Sequence, residues 1–316
     1  MNLKKLSTLA MLIMFVLGAA FAQSNISVNY LGNNNTMVKF KANQKYLLMP
    51  IEESAPEAQV SVLINGEIMQ QMNVRLAQGK KDYLVPLDLK AWQGKDIVLN
   101  IRTANDRSNV RDSRADVCWK QMGLSNTFDT ANVEKFRPAY HHTPLYGWMN
   151  DPNGLVEKDE VYHIYYQYSY EPEGGLKYWK QFTTKDFLHY QDEGIALSPD
   201  HPHDQGGAYS GCCFNDHGLL RYFYTGNVKL PGDYDYINAG REHNVMKVDS
   251  QDGLVLDHKE VVLYNKDYPQ NMSCHVRDPY VYENDGMYYM VLGARTLDSH
   301  GCVILYSSKD LNFNSA

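Results

Sequence analysis

Runs of basic residues and any excess of positive charge are missing from this 316-residue chain, which carries 30 Lys and Arg against 37 Asp and Glu, a net charge of −7. Proteins that bind nucleic acid or acidic lipid rely on clustered positive charge, because phosphates dominate both kinds of partner. The composition therefore argues against a nucleic-acid or acidic-lipid partner. It favours a neutral ligand.

Motifs for cofactors and metals are also missing. The sequence contains no phosphate-binding loop, no dinucleotide fingerprint and no Ser-His-Asp signature. Residues 201–204, His-Pro-His-Asp, form a possible metal cluster, but no partner motif stands at ligand spacing. We interpret this segment as a surface loop and expect neither a cofactor nor a metal.

Cysteine is scarce, and the five present are Cys118, Cys212, Cys213, Cys274 and Cys302. An odd number leaves at least one free thiol in an exported chain, and no disulfide framework is indicated. Since Cys212 and Cys213 are adjacent in an apolar stretch, we interpret them as small buried side chains.

A long apolar run occurs only at the N-terminus. Lys4 and Lys5 precede the run 9–21, and Ala20-Phe21-Ala22 offers a signal-peptidase site, so residues 1–22 are predicted to be a cleavable signal peptide. The run falls short of the roughly 20 residues that span a bilayer. We therefore expect a secreted or periplasmic protein without a membrane anchor.

Short β-prone runs separated by turn residues fill the next part of the chain. The runs are 36–40, 46–49, 59–63, 72–76, 83–87 and 97–102. Asn65-Gly66 between apolar runs is a strong hairpin signal. The pattern predicts a β-sandwich domain over residues 23–125, with a polar linker at 103–114.

A longer repeat follows, in which pairs of aromatic-rich strands begin at residues 151, 210 and 278. A unit of about 60 residues holds about four strands, which is typical of propeller blades. The pattern predicts an all-β fold, with a propeller over residues 126–316. Because a closed ring typically needs at least four blades, we expect this sequence to cover only about the first three.

Two of the three repeats open with Asp-Pro. Proline restricts the residue before it to extended geometry, which fixes where the carboxylate points. Equivalent positions of neighbouring blades face one axis, so Asp151 and Asp278 are candidates to converge on one pocket. An Asp-Pro dipeptide that merely starts a turn is the commoner alternative.

Three motifs resemble those of glycoside hydrolase family 32. Residues 148–154, Trp-Met-Asn-Asp-Pro-Asn-Gly, resemble the family's nucleophile motif. Arg277-Asp278-Pro279 is similar to its Arg-Asp-Pro motif, and Ser210-Gly211 to its Ser-Gly motif. The motifs occur in the family's order, and the resemblance covers roughly residues 138–316. Residues 24–125 resemble, less specifically, the β-sandwich that precedes the catalytic domain in some secreted bacterial fructan hydrolases.

The resemblance implies a five-bladed propeller that cleaves β-D-fructofuranosides with retention. Asp151 would be the nucleophile that forms a fructosyl-enzyme ester, while a protonated Glu assists the leaving group. Asp278 would stabilise the oxocarbenium-like transition state, with Arg277 keeping its carboxylate ionised.

Five further positions match residues around the fructose unit in that family, and these are Asn150, Gln167, Trp179, Ser210 and Arg277. Trp179 would supply an aromatic wall. Ordinary structural roles stay open as alternatives: Trp179 as core, Gln167 as a strand-face residue and Ser210 as part of a turn.

The family's acid/base lies in a Glu-Cys motif after Arg-Asp-Pro, and no Glu-Cys dipeptide occurs in this sequence. Glu283, the only Glu beyond Asp278, stands in a predicted turn and is a poor substitute. We expect the acid/base to lie beyond residue 316 and this stretch alone to be poorly active, since a general acid contributes about 10²–10⁴-fold.

Residues 175–179 resemble the sucrose-6-phosphate hydrolase branch of the family, although many relatives have Trp-Gly-His where this chain has Trp179-Lys180-Gln181. The predicted signal peptide argues against a phosphorylated substrate, because sugar phosphates made during uptake stay in the cytoplasm. We favour levan, inulin-type oligosaccharides or sucrose as the partner. A non-catalytic fructan-binding protein and a fructosyltransferase remain the alternative functions.

Overall fold

The computed structural model describes residues 25–32, 34–103, 112–129, 142–171 and 175–313. The predicted signal peptide lies outside these ranges, as does most of the predicted linker. Within them, no helix has the length and apolar character that crossing a membrane requires.

Eight strands of the described residues build the N-terminal part of the chain. They are Ser27–Gly32 (β1), Asn35–Lys41 (β2), Tyr46–Ile51 (β3), Ala58–Ile64 (β4), Glu67–Val74 (β5), Tyr83–Asp88 (β6), Asp96–Arg102 (β7) and Gly123–Ser125 (β8). One sheet has the order β1-β2-β7-β4-β5 and the other β6-β3-β8. Buried aliphatic side chains of both sheets share one core, which confirms the predicted sandwich.

The predicted hairpin joins β4 to β5. Asn65 and Gly66 have φ angles of 53° and 87°, and two successive positive φ angles fit the twist of a tight hairpin. The prediction for β5 was wrong at its start. The strand begins at Glu67 and not at residue 72, because Gln70 and Gln71 interrupt the apolar pattern that marks a half-buried strand.

A short helix, α1 (Val117–Gln121), was missed by the sequence analysis. It buries Cys118 and Trp119, and the Trp119 indole N–H donates to the carbonyl of Ser113 at 2.6 Å. Five residues are too few to show a helical period in the sequence. Burial of Trp119 stabilises this helix, because so short a helix has little stability of its own.

Three further sheets follow. The first comprises Trp148–Lys158 (β9), Val161–Ser169 (β10), Tyr178–Thr184 (β11) and Tyr190–Leu197 (β12); the second comprises Ala208–Asp216 (β13), Leu219–Lys229 (β14), Arg241–Ser250 (β15) and Asp257–Leu263 (β16); the third comprises Met272–Asn284 (β17), Met287–Thr296 (β18) and Gly301–Ser308 (β19). Each is an antiparallel meander in chain order. The all-β fold class is confirmed, and the sheets correspond to the three predicted repeats.

The first strand of each meander forms the inner edge of its blade. Strands β9 and β17 both pack against β13, so the three inner strands lie side by side. Aromatic side chains fill the space between the first two blades, chiefly Tyr165, Trp179, Tyr222 and Tyr224. A second cluster around Phe223, Val276 and Met290 joins the second blade to the third.

The sandwich and the first blade share a hydrophobic core. Tyrosines of β10 and of the β10–β11 connection, with Phe182, belong to the same buried cluster as the sandwich interior. Hydrogen bonds cross the junction: Tyr170 donates to Asp88 Oδ2 at 3.0 Å, and the amide of Gln71 donates to the carbonyl of Gln205 at 2.8 Å. The two parts are therefore packed together over a buried surface.

Candidate active site

A β-bulge near the start of β9 holds the predicted nucleophile. Asn150 and Asp151 together lie opposite the single residue Gln167 on β10. A bulge of this kind turns a strand locally and re-aims the side chains it carries. The bulge therefore sets the direction of the Asp151 carboxylate.

The other two inner strands are bulged at the equivalent place. Tyr209 and Ser210 lie opposite Thr225, and Asp278 and Pro279 lie opposite Leu292. In this register Asp151 corresponds to Ser210 and to Pro279, whereas Asp278 corresponds to Asn150. The two Asp-Pro dipeptides are therefore offset from each other by one residue.

Hydrogen bonds link each bulge to the next blade. Gln167 donates through Nε2 to the hydroxyl of Ser210 at 2.8 Å, and that hydroxyl donates to Asp151 Oδ2 at 3.0 Å. In the same way the amide of Asp278 donates to Thr225 Oγ1 at 2.8 Å. Gln167 on β10 thus holds Ser210, which contacts Asp151. Thr225 on β14 holds the backbone of Asp278.

Gln167, predicted to lie near the fructose unit, is placed against Ser210. Its side chain is only 6% exposed and lies beneath Ser210. We describe it as a positioning residue for Ser210 and Asp151. Ser210 itself is half-buried at the surface, where its hydroxyl touches the carboxylate directly.

Asp278 sits in a strained backbone conformation, with φ at 62°. A non-glycine residue in this region costs on the order of 1–3 kcal/mol, and such residues cluster at functional sites. Partial burial raises the pKa of Asp278; Arg277, whose Nε lies 3.7 Å from the carboxylate, lowers it, and Asp151 raises it. The effect predicted for Arg277 is present, but the net shift is upward.

The two acidic residues lie on strands that share a neighbour. The charge of Asp151 adds to the upward pKa shift of Asp278, whose main cause is burial. Both side chains are exposed on inner strands that pack on β13. The structure thus brings Asp151, Asp278, Ser210 and Arg277 to one face of the blades.

Asn150, the neighbour of Asp151 in the first bulge, is half-buried. Its amide oxygen is buried and has no hydrogen-bond partner among the described residues. A buried acceptor without a partner costs about 1–3 kcal/mol unless a ligand or water satisfies it. The contact with the fructose unit that was predicted for Asn150 stays a prediction.

Trp179 does not form the predicted aromatic wall. The side chain is fully buried between the first two blades, and its indole N–H donates to the carbonyl of Tyr209 at 2.9 Å. Gly154 has φ at 57°, and a Cβ there would come within 2.7 Å of the Trp179 ring. The structural alternative holds, and Trp179 supports both bulged strands from beneath.

Gly211 explains the Ser-Gly motif in steric terms. A Cβ at this position would come within 1.9 Å of the carbonyl of Phe223 on β14. Only glycine allows the strands to approach this closely just after the bulge. Ser210 is thereby placed against Asp151.

Two residues near the site escaped the sequence analysis. Thr225 anchors the amide of Asp278, and Lys177 is close enough to Asp151 for the carboxylate to raise its pKa, although burial lowers that pKa more. Thr225 lies on β14, which pairs with the strand that carries the Ser-Gly motif. The segment around Thr225 contains no motif of its own. Lys177 belongs to the segment 175–179, but only the fold shows which charged groups act on it.

Residues 201–204 form a turn, as the interpretation as a loop requires, with Pro202 exposed and one buried side chain. Asp204 is fully buried, where it accepts hydrogen bonds from Tyr224 at 2.7 Å and from Lys259 at 2.8 Å. Among the described residues no group of three or more His, Cys, Asp or Glu is arranged to hold a metal ion. The role of Asp204 is to tie the connection before β13 to the second blade.

Comparison with known proteins gives two sequence families. Residues 141–314 match the model described as the glycosyl hydrolases family 32 N-terminal domain, and residues 32–140 match a domain of unknown function, DUF4980. The boundary between the two matches falls just before β9, the strand that carries Asp151.

Individual relatives agree with the first match. The chain is 37% identical over 184 residues to a sucrose-6-phosphate hydrolase of Salmonella typhimurium, which covers 58% of this chain and 37% of the relative. It is 36% identical over 182 residues to the enzyme of that name from Bacillus subtilis, covering 57% and 36%. The structure of sucrose-6-phosphate hydrolase from Lactobacillus gasseri aligns with a TM-score of 0.51 and 32% identity, over 58% of this chain and 36% of that one. The chain spans little more than a third of each of these proteins.

Proposed function

The chain belongs to glycoside hydrolase family 32, and on that premise we propose that the whole protein hydrolyses β-D-fructofuranosidic bonds of sucrose or fructans with retention. Asp151 is the nucleophile and Asp278 stabilises the transition state. The observation that supports this proposal is that bulges on two inner strands, both packed on β13, each carry an exposed carboxylate, and that Ser210 of β13 donates a hydrogen bond to Asp151.

The first step breaks the bond between the anomeric carbon of fructose and the leaving oxygen. Asp151 donates an electron pair to that carbon and forms an ester, while an acid supplies a proton to the leaving oxygen. Water then attacks the same carbon and gives a proton to the conjugate base of that acid, the ester bond breaks, and fructose leaves with its original configuration. Two inversions give net retention.

The residues around Asp151 have separable tasks in these steps. The hydroxyl of Ser210 fixes one carboxylate oxygen, which leaves the other free to attack. The Asp278 carboxylate offers negative charge where the sugar ring becomes positive. The side-chain oxygen of Asn150 provides an acceptor for a sugar hydroxyl.

The substrate is proposed to be a neutral fructoside met outside the cytoplasm. The predicted signal peptide supports this location, and the net charge of −7 disfavours a phosphorylated sugar. The curated relatives are named for sucrose-6-phosphate. A comparison of sucrose with its 6-phosphate in one assay decides between them.

The test is to incubate the full-length protein and an Asp151→Asn variant with levan, inulin and sucrose, and to follow released fructose. We expect the variant to lose activity by on the order of 10⁴-fold or more, because the nucleophile is removed. Asp159→Asn is the matched control, since Asp159 is exposed in the β9–β10 turn. Full activity in Asp151→Asn would overturn the assignment.

Two other outcomes identify the alternative functions. Binding of inulin without any release of fructose by the unmodified protein would identify a non-catalytic fructan-binding protein. Transfer products that dominate at high sucrose concentration would identify a fructosyltransferase, which uses the same carboxylates with a sugar as acceptor.

A further inference from the structure

A cavity of about 390 Å³ lies between the sandwich and the rim of the first two blades. The β4–β5 hairpin forms one wall, through residues that include Gln59, Gln71 and Asn73. The β10–β11 connection and the start of β13 form the other, through Lys177 and Tyr209. A volume of this size is within the range of about 300–1,000 Å³ that ligand sites occupy.

The cavity adjoins the candidate active site. Tyr209 precedes Ser210 in the second bulge, and the Ser210 hydroxyl donates to Asp151. Lys177, on the same wall, has a pKa that burial lowers and that Glu171 and Asp151 raise. The cavity therefore reaches the second bulge at Tyr209, next to the residue that contacts Asp151.

Polar groups of the sandwich face this space without complete pairing. Gln71 is 8% exposed, and its side-chain oxygen has no hydrogen-bond partner among the described residues. Asn73, two residues along the strand, is exposed and donates to Glu57 Oε2 at 3.1 Å. A buried amide oxygen that lacks a donor is unfavourable unless a ligand or water supplies one.

The charges on the cavity wall are mixed. Arg75, Lys177 and Lys229 stand with Glu57 and Glu171. Burial raises the pKa of Glu171 to about 7 and lowers the pKa of Lys177. Three basic groups and two carboxyl groups, with several amides, give a lining that suits a ligand whose groups both donate and accept hydrogen bonds, as sugar hydroxyls do.

We propose that this cavity is a carbohydrate subsite, built jointly by the sandwich and the propeller, which holds neutral sugar units of a fructan chain beyond the part bound at Asp151. The inference rests on the proposed function and specifies it. The sandwich then acts directly in substrate selection, and the buried junction with the first blade keeps its wall in place.

The test compares Asn73→Ala and Gln71→Leu with the unmodified full-length protein on sucrose and on an inulin-type tetrasaccharide. Loss of one hydrogen bond weakens binding by roughly 1 kcal/mol. We therefore expect kcat/KM for the tetrasaccharide to fall about fivefold in each variant, with sucrose changed less than about twofold. Asn29→Ala is the matched control, because Asn29 is exposed on β1, the opposite edge of the same sheet.

Three results would overturn the subsite: unchanged values for both substrates, an equal fall for both, or, with sucrose 6-phosphate assayed as a third substrate, a fall confined to it, which would indicate an anion site. Gln71→Leu retains the side-chain size, and Asn73→Ala changes an exposed residue that does not depend on core packing. Calorimetric binding of the tetrasaccharide separates this inference from the proposed function. Binding that Asn73→Ala weakens, in a protein that releases no fructose, would keep the subsite and reject the catalysis.

Discussion

The first and third blades present the same dipeptide, Asp-Pro, at the same bulge and hold it in different ways. Asp151 is the second residue of its bulge and receives a hydrogen bond on its carboxylate from Ser210. Asp278 is the first residue of its bulge, has a left-handed backbone, and is anchored through its amide by Thr225. One carboxylate is oriented through its side chain, and the other through its backbone.

This difference matches the tasks proposed for the two residues. A nucleophile must place one oxygen in line with a carbon atom, so a side-chain hydrogen bond that fixes the carboxylate is useful. A residue that stabilises charge needs to face the developing cation, and a preorganised backbone supplies that without movement at the moment of reaction. Two similar sequence motifs therefore serve two purposes through a one-residue offset.

The largest effect that tests this comparison is expected from Asp278→Asn. Removing a preorganised charge at the transition state costs about 10²–10³-fold in kcat, which is less than the loss expected for Asp151→Asn. The measurement is fructose release from sucrose by the full-length variant. Asp285→Asn, at an exposed position in the β17–β18 turn, serves as control. A loss as large as that of Asp151→Asn would remove the distinction between the two roles.

Ser210→Ala is expected to have the next largest effect. The substitution removes the donor to Asp151 and leaves the Gln167 amide without its acceptor. The nucleophile keeps its chemistry but loses its fixed orientation, so kcat should fall about tenfold, the equivalent of one hydrogen bond near a charged group. Ser210→Thr, which keeps a hydroxyl, should recover part of the rate. An unchanged kcat in Ser210→Ala would show that Asp151 is oriented by other groups.

Sequence reasoning located the strands and the acidic residues, and the reason is that these depend on local patterns. Alternating apolar residues mark strands, and Asp-Pro with its neighbours marks the motif. The bulges were not predictable, because a bulge is a property of two strands in register. Nothing in the segment 148–154 alone shows that Asn150 and Asp151 lie opposite one residue of β10.

Trp179 and Gln167 show the same limit of sequence reasoning, because the sequence does not tell how deeply each side chain is buried. Either side chain is able to line a pocket or to support one, and the difference depends on how deep the fold places it. The structure buries both beneath the bulges. The cavity beside the sandwich is a further case, since its two walls are more than 100 residues apart in sequence, for example at Gln71 and Lys177.

Arg277→Gln tests the electrostatic half of the comparison through pH. Arg277 lowers the pKa of Asp278, so its removal raises that pKa further. If catalysis needs ionised Asp278, activity is lost as the pH falls through this pKa. The acidic limb of kcat against pH should therefore move to higher pH in the variant. Arg295→Gln is the control, because the Arg295 guanidinium donates hydrogen bonds to Asn238 and Ser299. An acidic limb that stays in place in Arg277→Gln would show that Asp278 does not set the pH dependence of kcat.

Thr225→Val should give the smallest effect, and it tests the backbone anchor by itself. The substitution keeps the shape of the side chain and removes the oxygen that accepts the amide of Asp278. Because this amide belongs to a residue with φ at 62°, loss of its acceptor removes one of the contacts that hold a strained conformation. We expect kcat to fall a few-fold, at about 1 kcal/mol for a neutral hydrogen bond, with KM for sucrose little changed.

Thr225→Ser retains the acceptor and should behave like the unmodified protein. Equal losses in Thr225→Val and Thr225→Ser would assign the effect to packing, whereas a loss confined to valine would show that the third blade orients its carboxylate through the main chain.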